Sequence, residues 1–398
     1  MSPADSVAHQ GSGDAALAGA HLVSAAAVVA GGRVLRPGWV AVREALVAAV
    51  GEGVPPRPAD EHLTEATLVP GFVDIHVHGG DGAAFTDASA EAVDRATAEH
   101  LRHGTTTLLA SLVSADLPEL DRQVRALRPL VGSAPGRATV AGLHLEGPFL
   151  SDTRRGAHDP HVLCPPQASA LDRLLDAGEG TVRMVTLAPE LPGGIPAVER
   201  LARAGILAAV GHTDASYDVT RAAVDAGARV ATHLFNAMRP VHHREPGPVT
   251  ALLEDERVLV ELINDGVHLH PAIARDVVRL AGTGRVTLVT DAMAATGVGD
   301  GDYVLGGLPV RVESGVARLV DGGSIAGSTL TMDVAFRRAV QLLGLSLEEA
   351  VAITSATPAA ALGRDDLGDL APGRRADLVA LSDKLTVTAV MAGGRWVA

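Results

Sequence analysis

The sequence is short of cysteine, aromatic residues and lysine, and each shortage narrows the possible structures and sites. Cys164 is the only cysteine in the 398 residues, which excludes an intramolecular disulfide framework and any zinc or iron–sulfur site made from several cysteines. The same scarcity fits a reducing compartment, so we expect a cytoplasmic protein. Because aromatic residues make up 2% of the chain, a sugar-stacking platform would be sparse, and ligand recognition should be chiefly polar.

The charge balance and the lack of long apolar runs argue against two kinds of partner. The 47 acidic residues outnumber the 33 lysines and arginines, and the net charge of −14 disfavours nucleic acid or an anionic membrane as the main partner. No apolar run approaches the length that crosses a bilayer, and no basic residues precede the apolar stretch from His21 to Ala30 as they would in a signal peptide. We therefore expect a small-molecule ligand.

The composition divides the chain into regions. Residues 1–18 are rich in Ser, Gly, Ala and Asp without periodicity, which predicts a flexible tail. Residues 19–67 and 369–398 alternate short apolar runs with turn signals, and they predict a small discontinuous β-sandwich domain formed by both chain ends. Residues 68–368 are numerous and apolar enough to bury a large core of their own.

The central region repeats an apolar run followed by a helix-like stretch, a pattern typical of βα units with parallel strands. Eight repeats predict an α/β fold, a (β/α)8 TIM barrel, whose sites lie at the carboxyl ends of the strands. A hairpin insertion is predicted near 303–320. The predicted strands are Leu68–Val77, Thr105–Leu112, Thr139–Leu145, Arg183–Leu187, Ile206–Val210, Arg229–Thr232, Val258–Ile263 and Val286–Thr290.

Residues that bind metals recur where these predicted strands end. His76 and His78 are two apart on a strand, so their side chains share one face. Any one such residue could be a hydrogen-bonded core residue, but their common position favours a metal site. The others are Glu146 after the third strand, His212 after the fifth, His233 after the sixth and Asp291 after the eighth.

The ligand types suit one divalent metal ion or two in each subunit. Imidazole and carboxylate groups favour zinc, with iron, cobalt or manganese as alternatives. The two candidate sets are Glu146, His212 and His233 with a water, and His76, His78 and Asp291 with Glu146 as a bridge.

Two further positions indicate chemistry beyond metal binding. Asp291 could take a proton from a metal-activated water and return it to a leaving group, or it could cap the following segment. Arg244 follows the sixth strand beside His242 and His243, where its guanidinium could clamp a phosphate, or the loop could simply be solvated.

Eight motifs from about His21 to the C-terminus carry a family resemblance. They are Pro70–Gly79, His144–Phe149, Gly156–Pro160, Gly211–Thr213, Thr232–Met238, Arg244–Gly247, Asp265–His268 and Thr290–Ala292. Together they resemble the N-acetylglucosamine-6-phosphate deacetylase family of the metal-dependent amidohydrolase superfamily. The resemblance implies hydrolysis of N-acetyl-D-glucosamine 6-phosphate to D-glucosamine 6-phosphate and acetate, a step of amino-sugar catabolism or recycling.

The resemblance also implies roles for individual residues. Glu146, His212 and His233 would bind the principal metal, Asp291 would be the general base and then the acid, and His158 would contact the acetamide carbonyl. The family further implies a homodimer that holds the amino-sugar phosphate in part across its interface. The implied sugar-phosphate contacts are Asn236, Ala237, Arg244 and His268, with the turn of Ala326, Gly327 and Ser328 shaping the sugar pocket.

The position of the sole lysine separates related branches of the superfamily. Several members bridge two metals with a carboxylated lysine on a barrel strand, whereas Lys384 lies outside the predicted barrel.

One alternative is a related amidohydrolase acting on N-acetylgalactosamine 6-phosphate or another N-acyl compound. A non-catalytic sugar-phosphate sensor is a second alternative, disfavoured because a sensor needs no general base such as Asp291.

Overall fold

A computed structural model describes residues 17–397, in which eight parallel strands stand side by side in sequence order. Nearly every residue of these strands is buried, which explains why they are continuous apolar runs rather than alternating patterns. The (β/α)8 barrel predicted from the sequence is confirmed. The barrel strands are Phe72–Val77, Thr105–Val113, Thr139–Glu146, Val182–Leu187, Leu207–Val210, Val230–Ala231, Leu259–Ile263 and Val286–Val289.

Hydrogen bonds from the residues just after the last strand to the first strand close the barrel. The backbone N–H of Asp291 donates to the carbonyl of His76 at 2.9 Å. The buried carboxylate of Asp74 accepts bonds from the Thr290 hydroxyl at 2.5 Å and from the Thr290 N–H at 3.3 Å. Burial raises the pKa of Asp74 to about 7, against the opposing effect of these bonds. The seam therefore fixes His76 and Asp291 beside each other at the barrel rim.

Helices surround the barrel and begin at conventional caps. The Ser89 hydroxyl accepts a bond from the N–H of Ala92, and the Asp116 carboxylate accepts one from that of Glu119. Single 3-10 turns cover Phe85–Asp87, Arg128–Leu130, Asp152–Arg154 and Pro160–Val162, and a π-helix covers Ala352–Ala356. The α-helices are Ala90–Arg102, Leu117–Leu127, Ala168–Gly178, Gly194–Arg203, Tyr217–Ala226, Gly247–Glu254, Pro271–Ala281, Met332–Leu343, Leu347–Val351 and Thr357–Ala361.

Both chain ends contribute to a separate sheet domain, as predicted. Its strands belong to one hydrogen-bonded sheet, in which Glu61–Pro70 pairs with Leu378–Leu381 and so joins the two ends. The limits 19–67, 369–398 and 68–368 remain a proposal for the units that fold together. The strands of this sheet are His21–Ala30, Arg33–Leu35, Gly38–Arg43, Leu46–Glu52, Glu61–Pro70, Leu378–Leu381, Val387–Ala392 and Arg395–Val397.

The first predicted barrel strand, Leu68–Val77, is two strands in the structure. Pro70 ends the sheet-domain strand, and the barrel strand starts at Phe72. Gly71 lies between them, where a Cβ would collide with the side chain of Thr106. The single apolar run therefore passes from one sheet to the other at Gly71.

An inserted sheet covers part of the barrel rim. Its strands, Gly301–Leu305, Leu308–Glu313 and Val316–Leu319, form one three-stranded antiparallel sheet, and Leu305 packs with Val113 of the barrel. A smaller ribbon pairs Gly79–Gly80 with Ala83–Ala84. The predicted tail lies outside the described residues except for Leu17 and Ala18. None of the helices in residues 17–397 combines the length and apolar character needed to cross a membrane.

Ion pairs of His103 link the helix Ala90–Arg102 to the helix Met332–Leu343. One ring nitrogen of His103 lies 3.0 Å from Asp333, and the other lies 3.2 Å from Glu99. The hydrogen bond to Asp333 and the charge of both carboxylates raise the pKa of His103 above 6.5 despite its partial burial. The charged ring therefore stabilises the folded state fully below its unfolded pKa, and this contribution is lost as the pH rises through the folded pKa.

We expect His103→Ala to lower the free energy of unfolding by about 1 kcal/mol near pH 6, a modest value because the ring is partly exposed. The deficit should shrink at about pH 9, because the histidine of the unaltered protein loses its charge as the pH rises through its folded pKa. Urea unfolding of the variant and of the unaltered protein at both pH values measures the difference in free energy of unfolding. His103→Gln is the uncharged control. An equal deficit at the two pH values would contradict the assigned role of the charge.

Candidate active site

The carboxylate of Glu146 lies at the centre of a cluster of imidazoles at the carboxyl rim of the barrel. Its Oε1 atom is 3.1 Å from Nε2 of His212 and 3.0 Å from Nε2 of His233. Its Oε2 atom is 3.2 Å from Nε2 of His78 and 3.4 Å from Nε2 of His158. Only 4% of the Glu146 side chain is exposed, so these neighbours, rather than water, must balance its charge.

A second carboxylate stands beside the first pair of histidines. The Oδ1 atom of Asp291 is 3.2 Å from Nε2 of His78 and 3.5 Å from Nε2 of His76. The two imidazole Nε2 atoms are themselves 3.1 Å apart. Asp291 therefore adjoins the His76 and His78 side of the cluster.

Three of these side chains reach the cluster from strained backbone positions. His212, His233 and Asp291 have φ values of 48°, 28° and 51°, and each lies two residues after the end of a barrel strand. Residues with a Cβ rarely adopt this region, and such positions cost about 1–3 kcal/mol each. The barrel thus holds these three residues in place at the expense of local stability.

The hydrogen bonds on the outer side of two rings determine which nitrogen faces inward. Nδ1 of His78 lies 3.2 Å from the carbonyl of Ser111, and Nδ1 of His212 lies 3.0 Å from the carbonyl of Arg154. A carbonyl only accepts, so Nδ1 is the donor in each ring. In the neutral rings, the lone pair of Nε2 then points into the cluster, which is the arrangement required of metal ligands.

The donor atoms fit a divalent metal ion. Two sets of three side chains each bring one ligand atom within 4.8 Å of one another, and Glu146 belongs to both. Imidazole nitrogens combined with a carboxylate oxygen are the ligands that zinc and similar metals take in proteins. The sets are His76, His78 and Glu146, and Glu146, His212 and His233.

The cluster shifts the pKa values of its members in opposite directions. Burial raises the pKa of Glu146 and of Asp291, but the charge of His76 and other neighbouring imidazoles more than offsets this. The pKa of Glu146 is well below its usual range, and that of Asp291 is about 2. Burial and the charge of His212 lower the pKa of His158 to about 4. Both carboxylates are therefore anionic at neutral pH, and His158 is neutral.

The cluster forms the base of a cavity of about 270 Å³. Ten of the residues predicted as site residues line it, while His76 is fully buried and outside its lining. Val113, Ala157, Leu305 and Ile325 add an apolar wall that was not predicted. The ten predicted residues are His78, Glu146, His158, His212, His233, Asn236, Ala237, His268, Asp291 and Gly327.

Three residues predicted to bind substrate do not line this cavity. Arg244 lies in an exposed loop, where its guanidinium is 2.7 Å from Nε2 of His243. Ala326 is buried in an apolar cluster. The Ser328 hydroxyl donates to the carbonyl of Thr290 at 2.6 Å. Ala326 and Ser328 thus hold the turn whose Gly327 reaches the cavity, and the substrate contacts of all three remain predictions.

Two buried residues beneath the cluster were missed by the sequence reasoning. Glu261 contacts the ring of His76, and His144 lies between the hydroxyls of Ser111 and Thr186 at 2.9 and 2.8 Å. Glu261 is the only charged residue in its apolar strand, and His144 shares a strand face with Glu146, so both signals were present in the sequence.

Comparison with known proteins gives consistent matches. The family model described as the amidohydrolase family matches residues 67–397. An N-acetylgalactosamine-6-phosphate deacetylase of Escherichia coli O157:H7 is 37% identical, over 90% of this chain and 95% of that protein. An N-acetylglucosamine-6-phosphate deacetylase of Bacillus subtilis is 33% identical, over 94% of this chain and 96% of that protein.

Solved structures agree with these sequence relatives. The crystal structure of N-acetyl-D-glucosamine-6-phosphate deacetylase from Mycobacterium smegmatis is 52% identical, with a TM-score of 0.91 over 95% of this chain and 100% of that one. A mutant of the same enzyme, in complex with N-acetyl-D-glucosamine-6-phosphate, matches with a TM-score of 0.92. The chain therefore belongs to the amidohydrolase family, in the group that contains the N-acetylglucosamine-6-phosphate deacetylases.

Proposed function

We propose that this protein is a metal-dependent amide hydrolase of amino-sugar metabolism. Its reaction would convert N-acetyl-D-glucosamine 6-phosphate and water to D-glucosamine 6-phosphate and acetate. The observation that carries this proposal is the anionic Glu146 among inward-facing imidazoles, with Asp291 beside it at the base of a cavity. The names of the relatives support the substrate.

The residues that would hold the principal metal ion are Glu146, His212 and His233. A second ion would take His76, His78 and Asp291, with Glu146 shared between the two positions. Zinc is the metal proposed, and iron, cobalt and manganese accept the same ligands. Such an ion supplies a water of lowered pKa and polarises the carbonyl oxygen of the amide.

Asp291 would move the proton in the reaction. Its carboxylate is anionic at neutral pH, so it can accept a proton from the water whose oxygen attacks the acetamide carbon. The carbon–nitrogen bond then breaks, and Asp291 returns the proton to the departing nitrogen. The acetyl group leaves as acetate, and the sugar keeps the amine.

His158 would stabilise the carbonyl oxygen during this reaction. Its Nδ1 atom accepts a bond from the N–H of Ser114 at 3.3 Å, so the hydrogen of the neutral ring is on Nε2. Nε2 faces Glu146 in a ring that lines the cavity, and the hydrogen is available to an oxygen that becomes negative.

The sugar phosphate would occupy the outer part of the cavity. Asn236, Ala237 and His268 line that cavity, and Asp265 orients the His268 ring through a contact of 2.7 Å. We propose that Arg244 binds the phosphate in part across a homodimer interface, because its loop is exposed in the single chain. The dimer and a cytoplasmic location remain predictions.

We expect Asp291→Asn to lower acetate release by about a hundredfold or more, because the amide cannot accept the proton. The variant should remain folded and bind metal through the Glu146 set. Steady-state kinetics with a metal analysis measures both properties, and Asp321→Asn, at an exposed position, is the matched control. Near-normal turnover by the Asp291 variant would refute its role as the base.

We expect Arg244→Ala to raise the KM for N-acetylglucosamine 6-phosphate about tenfold to a hundredfold, because it removes charge-assisted hydrogen bonds to the phosphate. The rate with unphosphorylated N-acetylglucosamine should change little. Arg203→Ala, on an exposed helical face, is the control. A similar loss with both sugars, or with neither, would show that Arg244 does not recognise phosphate.

A second candidate substrate is N-acetylgalactosamine 6-phosphate. The 37% identity to a deacetylase named for that sugar favours testing it. The two sugars differ in one hydroxyl epimer, so the ratio of their kcat/KM values assigns the preference directly. Hydrolysis of an unrelated N-acyl compound at a higher kcat/KM than either sugar phosphate would exclude both substrates as the principal one.

A further inference from the structure

Glu261 is a buried carboxylate beneath the candidate metal ligands. It lies in the seventh barrel strand, Leu259–Ile263, between apolar neighbours, and has no exposed surface. Its Oε1 atom has no hydrogen-bond partner in the described structure, while Oε2 contacts two separate segments. A fully buried carboxylate needs compensation, and both contacts of Oε2 lead to residues proposed to bind metal.

The first contact orients the ring of His76. Oε2 of Glu261 lies 3.1 Å from Nδ1 of His76, and an anionic carboxylate only accepts, so Nδ1 carries the hydrogen. The opposite atom, Nε2, lies 3.1 Å from Nε2 of His78 and 3.5 Å from Glu146. The carboxylate thus presents the ring's lone pair to one metal position and increases its basicity.

The second contact fixes the backbone at His233. The same oxygen accepts a bond from the N–H of His233 at 3.1 Å, and the carbonyl of Glu261 accepts one from the N–H of Leu234 at 3.0 Å. His233 has a φ of 28°, a conformation that needs such support. Its Nε2 atom faces Glu146 at 3.0 Å, on the side of the other metal position.

We propose that Glu261 is a positioning residue that holds one ligand of each metal position, through the ring of His76 and the backbone of His233. Glu261 does not line the cavity, and its side-chain contacts go to the two histidines. This inference rests on the proposed metal-dependent function, which supplies the role of both histidines. Because a single oxygen makes both contacts, displacement of Glu261 should weaken the two positions together.

Two substitutions separate geometry from charge. Glu261→Gln keeps an oxygen that can accept both bonds but removes the negative charge opposite His76. Glu261→Leu has a similar size and removes both bonds. Glu256→Gln changes an exposed glutamate just before the same strand and is the matched control.

The test is a titration of metal-free protein with Co²⁺ in competition with a chromophoric chelator, following the visible absorption of the bound ion. We expect Glu261→Leu to weaken Co²⁺ binding about tenfold to a hundredfold and to alter the spectrum, with Glu261→Gln intermediate and Glu256→Gln unchanged. In a His76→Ala background, Glu261→Leu should still weaken the remaining ion through His233. Melting of the metal-free proteins by circular dichroism establishes that each variant is folded.

The outcomes distinguish this inference from the proposed function. Wild-type affinity and spectrum in folded Glu261→Leu and Glu261→Gln would overturn the positioning role while leaving the metal-dependent function intact. If Glu261→Leu no longer weakened Co²⁺ binding in the His76→Ala background, the proposed positioning of His233 by Glu261 would be wrong. Failure of the unaltered protein to bind Co²⁺ or Zn²⁺ would overturn the proposed function and this inference together.

Discussion

The buried carboxylate of Glu146 among five imidazoles is the interaction on which the site depends. A charge with so little exposure is unfavourable unless groups of opposite or complementary polarity surround it, and the ends of several strands supply them. Four of these rings are held from behind through Nδ1: those of His78 and His212 by a backbone carbonyl, that of His76 by the Glu261 carboxylate and that of His158 by a backbone N–H. The inward direction of their Nε2 atoms is therefore set by the protein itself.

The barrel brings these residues together, and its stability offsets the strain in their backbone conformations. Parallel strands bring their carboxyl ends to one rim, so residues distant in sequence become neighbours there. Asp74 and Thr290 close the seam between the first and last strands directly below His76 and Asp291. The apolar interior of the strands supplies the stability that allows several residues at the rim to keep strained backbone conformations.

Much of this arrangement follows from the sequence, and the exceptions have physical reasons. Apolar runs followed by a polar residue located the rim, and His76 with His78 marked the face that points inward. The division of the first run at Gly71 was missed because both halves are equally apolar, and the close approach of Gly71 to Thr106 exists only in the folded chain. A run of buried residues does not reveal which of two sheets it joins.

The residues beneath the rim were harder to predict. Glu261 and His144 act from strand interiors, and their partners lie on other strands, so their contacts exist only once the barrel is closed. The apolar wall of Val113 and Leu305 likewise depends on how the inserted sheet packs. Arg244 carries the charge that a phosphate would need, but in the described residues its exposed loop is not part of the cavity lining.

The central claim is that Glu146, His212 and His233 form a preorganised metal site. Anomalous diffraction from crystals grown with Zn²⁺ and collected at the zinc edge tests it most directly. We expect a peak about 2.0–2.2 Å from the inward nitrogen atoms of the histidines and from a Glu146 oxygen. A protein that releases acetate with no anomalous peak at this cluster, and with full activity after chelation, would contradict the account.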